Sequence, residues 1–239
     1  MGKARDNLTG KSYGPFTTIY GRFFYLVKFI YNKFKNYSEI RKSIVFKGNS
    51  KIGIHHKTLL HLKNSKIIIN SGTLKIGIDF GYFDPGEFDP RVDKCRIFLN
   101  NSTLEIYGNV SLYPGAIIHG TNAHIIIRNN TKINAGMIIS MKKIEIGEEC
   151  YLGRDIVIRD NDGKELSTGP TNEKGQQFMD VRIGNHCMIA QGCMILKGVR
   201  LSDNTIVSAR AMVAKSFPPN VVISGIPARI IKENVSWTA

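Results

Sequence analysis

No two of the four cysteines form a CxxC pair, and no apolar stretch long enough to cross a bilayer is free of charge. The first absence argues against a thiolate metal knot or a redox pair. It leaves Cys95, Cys150, Cys187 and Cys193 as cytosolic thiols serving as small core residues. No apolar signal core follows Met1-Gly2-Lys3-Ala4-Arg5, so export is not indicated and a cytoplasmic location is expected. Acidic side chains are scarce: 19 Asp and Glu stand against 33 Lys and Arg, giving a formal charge of +14. Such an excess suits an anionic partner: nucleic acid, a membrane surface, or a phosphorylated cofactor with an acidic acceptor. Nucleic acid is set aside, because no binding motif is present and the aromatics are not set in basic stripes.

Apolar residues make up 42% of the chain and are spread along it, enough for one substantial core and a small appendage. Residues 17–34 mix Ile19, Tyr20, Phe23, Phe24, Leu26, Val27, Phe29 and Ile30 with Arg22, Lys28 and Lys33. This pattern predicts a helical segment over residues 1–44. Either it packs on the body, or it lies in a membrane interface at the inner face of the cell membrane.

The main signal is a period of six. From residue 183 the chain divides into IGNHCM, IAQGCM, ILKGVR, LSDNTI, VSARAM and VAKSFP. The first position is always aliphatic: Ile183, Ile189, Ile195, Leu201, Val207 and Val213. The fifth is small or apolar: Cys187, Cys193, Val199, Thr205, Ala211 and Phe217. A helix would space its apolar residues by three and four, and a lone strand by two. Six fits a prism in which each block supplies one short strand and one corner, three blocks make a coil, and stacked strands lie about 4.8 Å apart. The phase extends upstream through Leu112, Ile118, Ile127, Ile133, Ile139, Ile146, Leu152 and Ile158. Between residues 45 and 106 the apolar clusters predict irregular starting coils. Turn-rich insertions interrupt the prism at about 80–95 and 160–180. The expected organisation is an all-β parallel helix over 45–218, with a C-terminal cap segment over 219–239.

IRDNDG at 158–163, VRIGNH at 181–186, ILKGV at 195–199 and FPPNVVISGIPARII at 217–231 resemble the hexapeptide-repeat acyltransferases, in particular the sugar and polysaccharide O-acetyltransferase branch. The resemblance implies left-handed coils, a homotrimer with active sites between neighbouring prisms, and acetyl-CoA as acyl donor. It also implies a sugar or polysaccharide acceptor from surface-polysaccharide assembly, including an acidic one. Backbone at Ala190, Ser208 and Ala209 would meet the pantetheine arm, and Lys215 and Arg229 the CoA phosphates. No metal is implied.

Two departures bear on the chemistry. Where the family continues IRDNDG with a histidine general base, this chain has Lys164. Where the family carries tryptophan, it has Met188. A lysine is a poor base at neutral pH unless it is buried or beside other cations, but as a cation it can bind an acidic sugar or an oxyanion. Asp160 and Asp162 are alternative bases. So is His119, if His119, Ser140 and Arg159 form an outward column two coils from the loop. Two other readings stay open. One is a catalytically impaired relative that binds CoA or sugar or acts structurally. The other is a zinc hydratase of the same prism type, for which His119 and His124 have a ligand-pair spacing.

Overall fold

A computed structural model describes residues 41–55, 58–77, 93–164, 167–168, 173–174 and 176–238. Segment 17–34 and most of the 80–95 insertion lie outside the described residues. The chain forms two compact units, Met1–Arg41 and Lys42–Ala239, and the second holds every strand of the prism. Among the described residues no helix is long and apolar enough to cross a membrane.

Each coil turns through three sides. The first side runs from Ile44–Phe46 through Lys66–Ile69, Thr103–Ile106, His124–Ile127, Lys143–Ile146 and Val181–Ile183 to Arg200–Leu201. The second runs from Lys51–Ile54 through Thr73–Ile76, Val110–Leu112, Thr131–Ile133, Tyr151–Leu152, Met188–Ile189 and Ile206–Val207 to Val221–Gly225. The third runs from Leu59–Lys63 through Arg96–Asn100, Ile117–Thr121, Met137–Ser140, Val157–Arg159 and Met194–Ile195 to Met212–Val213. Within each side the strands pair parallel and in register. Ile44, Ile67, Leu104, Ile125 and Ile144 therefore stack on one another. The inner aliphatics form one continuous buried ladder. Apolar burial is the main stabilising term for such a fold.

The sixfold pattern thus becomes geometry. First positions Ile183, Ile189, Ile195, Leu201, Val207 and Val213 are buried, as are fifth positions Cys187, Cys193, Val199, Thr205, Ala211 and Phe217. The fourth position is the bend. His186, Gly192, Gly198, Asn204 and Arg210 have φ of 53°, 73°, 75°, 57° and 60°, and Glu149 and Asp155 upstream do the same at 54° and 56°. Left-handed backbone is costly for residues with a Cβ, so interstrand bonding must hold it: the His186 amide donates to the Glu148 carbonyl at 2.7 Å and that of Asn204 to Asn185 at 3.0 Å.

The clusters between residues 45 and 106 do lack clean sixes, since Ile44 to Ile67 and Ile52 to Leu74 span 23 and 22 residues against 18 from Ile183 to Leu201, yet their described strands pair in register. One expectation needs correction: Ile139 is not in the inward phase. Ile138 is the residue that stacks between Ile118 and Ile158, and Ile139 faces outward between His119 and Arg159. Two adjacent isoleucines are indistinguishable by hydropathy, and only the register separates them. Ser140 then falls inward, opposite Gly120, and is buried.

At the end of the prism, Ala228–Glu233 folds back antiparallel on Val221–Gly225. Trp237 reaches beyond it to stack on His186, with ring centroids 4.6 Å apart and planes 14° from parallel. Its indole Nε1 donates to the His186 carbonyl at 2.8 Å.

Candidate active site

The 160–180 insertion leaves the prism at the corner between the third and first sides, and it is clamped at its root. Asp160 is fully buried. One carboxylate oxygen accepts from Ser140 Oγ at 2.6 Å and from the Lys142 amide at 2.9 Å. The other accepts from the Met141 amide at 2.8 Å and from Asn161 Nδ2 at 3.1 Å. The returning chain bonds back: the Met179 amide donates to the Asp160 carbonyl at 2.9 Å, and that of Gly198 to the Met179 carbonyl at 3.1 Å. Arg159 Nε donates to the Asn161 carbonyl at 2.7 Å. From the next coil, Lys197 Nζ reaches both the Asp162 carboxylate and the Gln176 carbonyl, joining the two limbs of the loop. Within the loop, Ser167–Thr168 and Glu173–Lys174 pair antiparallel.

This arrangement sorts the candidate bases. Four donors occupy Asp160, leaving it no approach to a substrate hydroxyl, and its place is that of a structural anchor. Asp162 is ion-paired with Lys197. Lys164 is exposed one residue beyond Gly163 and has no partner among the described residues. His119 is exposed on the third side, two strands from Arg159, in the column Phe98–His119–Ile139–Arg159. The Phe98 ring meets the His119 ring edge-on at 6.4 Å. The expected column through Ser140 is replaced by one through Ile139. His124, by contrast, lies on the first side and holds Glu105 at 2.9 Å, so the two histidines with ligand-pair spacing do not converge.

The expected cofactor residues divide between two corners. Ala190, Ser208 and Ala209 follow strands of the second side, where it turns into the third. The Ala190 amide donates to Val207 at 2.9 Å and the Ser208 amide to Ile223 at 2.9 Å. Arg229 belongs with them, paired opposite Ser224 on the strand beyond. Lys215 is across the third side, at the loop corner, with its Nζ 5.4 Å from the centre of the Phe217 ring. Within one prism, Lys215 and Arg229 therefore stand at different corners.

The sequence reading missed Lys197. It stands in the ILKGV block, and its distance from Asp162 in sequence hides that one coil separates them. It also missed a cavity of about 550 Å³ on the second side, lined by Ser111, Lys132, Tyr151, His186 and Trp237 among others. No loop residue lines that cavity, whereas two smaller clefts of about 160 and 190 Å³ adjoin the loop root.

No family model matches the chain. Galactoside O-acetyltransferase of Escherichia coli K12 is 31% identical over 162 residues, spanning 65% of this chain and 74% of that protein. Polysialic acid O-acetyltransferase of Escherichia coli O1:K1 is 27% identical over 129 residues, 53% of this chain, and the chain spans only 42% of its length. The crystallographic structure of polysialic acid O-acetyltransferase OatWY matches with a TM-score of 0.55 at 28% identity, over 82% of this chain and 91% of that one. The prism is accordingly left-handed, as the resemblance implied. With a relative of that identity matched over most of its own length, and the coil, loop and final hairpin accounted for, the chain belongs to the hexapeptide-repeat acetyltransferase family.

Proposed function

We propose that the protein transfers the acetyl group of acetyl-CoA to a sugar hydroxyl in bacterial surface-polysaccharide assembly. The acceptor oxygen attacks the thioester carbonyl, the carbon–sulfur bond breaks, and the hydroxyl proton passes to a base and on to the departing thiolate. The observation that carries this reading is the clamped loop. Bonds from Ser140 to Asp160 and from Lys197 to Asp162 tie down the stretch that leads to Lys164, in a family whose named relatives acetylate galactosides and polysialic acid. Ala190, Ser208 and Ala209, with Arg229, form the corner suited to the pantetheine arm and its phosphates. Because Lys215 and Lys164 stand at the other corner, a complete site needs a second prism alongside, and a homotrimer supplies one. Sizing by light scattering should then give three times 26.7 kDa.

A second reading is favoured by a specific observation. Asp160 is saturated, Asp162 is paired and Lys164 is a cation, so the protein is either a slow enzyme or a binding relative. Thiol release from acetyl-CoA with a panel of capsular sugars, including oligosialic acid, separates the two. Turnover with any sugar supports transfer. Calorimetric binding of CoA without turnover supports the second reading. Equal affinity for CoA and dephospho-CoA removes Arg229 and Lys215 from the 3′-phosphate.

A further inference from the structure

On the first side, next to the loop root, Arg182 and Arg200 occupy neighbouring parallel strands in direct register. Both are exposed. Adjacent strands lie about 4.8 Å apart, and like charges set directly opposite each other destabilise a sheet. A carboxylate between them would remove that cost, yet the carboxylates nearby are already engaged. Glu145, in register with Arg182, takes Arg128 at 2.8 Å and Lys143 at 3.5 Å. Asp180 takes Lys142 at 3.0 Å. Neither arginine has an ion-pair partner among the described residues.

The two small clefts meet here. Lys143, Glu145, Asp180, Arg182 and Arg200 line one; Lys142, Gln176, Met179, Gly198 and again Asp180 and Arg200 line the other. They share Arg200 and Asp180 and open beside the loop that bears Lys164. The clefts hold about 160 and 190 Å³, and together they fall at the lower end of the roughly 300–1,000 Å³ common for small-molecule sites. The planar guanidinium forks offer paired N–H donors suited to a carboxylate. The Asp180 carboxylate, with Lys142 on one oxygen, is an acceptor for hydroxyl groups. Arg182 feels Glu145 only through space, and arginines with no carboxylate bonded to them, hydroxyl acceptors and an open cleft together suit a carboxylated sugar.

Resting on the acetyltransferase reading, we propose that Arg182 and Arg200 are the acceptor-specificity residues, binding the carboxylate of an acidic sugar unit while its neighbour in the glycan reaches the loop. The test needs no turnover. Oligosialic acid, and the same oligomer after reduction of its carboxyl groups, are titrated calorimetrically against the wild type and the Arg182→Gln/Arg200→Gln variant. Acetyl-CoA is titrated in parallel. The expected result is a loss of about tenfold or more in affinity for the acidic oligomer in the variant, a similar loss for the wild type with the reduced oligomer, and unchanged acetyl-CoA affinity. If acetyl-CoA binding falls instead, the arginines serve a phosphate of the donor and the proposal is overturned. Equal affinity of wild type and variant for the acidic oligomer also overturns it. If the wild type binds the oligomer as expected but releases no thiol in its presence, the acetyltransferase reading fails while the carboxylate site stands.

Discussion

Ser140 donates its hydroxyl to Asp160 at 2.6 Å across one step of the third side, with both residues pointing into the prism. Polar groups there replace the Leu62 and Leu99 of earlier coils, and they pin the chain where it departs into the loop. Asp160→Ala strands two backbone amides, a hydroxyl and a side-chain amide. It is expected to lower unfolding free energy by about 3 kcal/mol or more, read as a shift of the urea midpoint. Full stability with abolished transfer would instead make Asp160 a participant in the chemistry.

Gly198 holds φ at +75°, and a Cβ there would lie 2.7 Å from Met179 Cε. That methyl is the movable end of a side chain, so the left-handed backbone dominates, and Gly198→Ala is expected to cost about 1–2 kcal/mol of stability, read from the urea midpoint, while changing thiol release less than tenfold. Gly192→Ala has a similar φ but meets only the flexible Arg210 side chain at 3.2 Å, away from the loop, and serves as the control.

Lys164→His is expected to raise acetyl transfer, because general-base catalysis contributes roughly 10²- to 10⁴-fold in a sound site. Single-turnover rates with acetyl-CoA measure this. A fall with Lys164→His and a deeper fall with Lys164→Ala would assign the lysine a positive role. No change in either, with collapse in His119→Ala, would move the base to the third side.

The Arg128 guanidinium holds the Glu145 carboxyl below the usual carboxylate range, outweighing burial, with help from Lys143 and Arg182. A carboxyl depressed in the folded state stabilises the fold above its unfolded value of about 4.3, and that contribution is lost as pH falls through the folded value. Glu145→Gln should therefore be less stable than wild type at pH 7. In denaturant titrations from pH 7 to pH 2.5 the gap should narrow only below about pH 4.

The prism itself was legible because its first and fifth positions repeat a chemical type, and burial acts on type. The bend was less so. Its fourth position holds His186, Gly192, Gly198, Asn204 and Arg210, which share a backbone conformation and little else. Asp160 resembles a candidate base in sequence because a motif records that an acid is present, not whether it faces the core or solvent. Lys215 and Ala190 resemble parts of one cofactor site because both lie in regular coils. Which corner each occupies depends on counting blocks of six, and the same count explains the arginine pair. Arg182 and Arg200 stand one full coil apart in uninterrupted repeats, so their shared register was available from the sequence.

Parallel rungs carry an inherent hazard: the last one exposes unsatisfied amides and carbonyls, a template on which another molecule's first rung can settle and propagate into a filament. Ala228–Glu233 disarms the second side by running the opposite way along Val221–Gly225, and it ends in Lys232 and Glu233. An incoming strand would meet reversed polarity, charge, and no inward aliphatic at the sixfold spacing. The turn over 225–229 therefore covers the end of the second side as well as neighbouring the proposed cofactor corner. Cutting the chain before Ala228 should turn discrete particles into fibres visible by negative-stain microscopy.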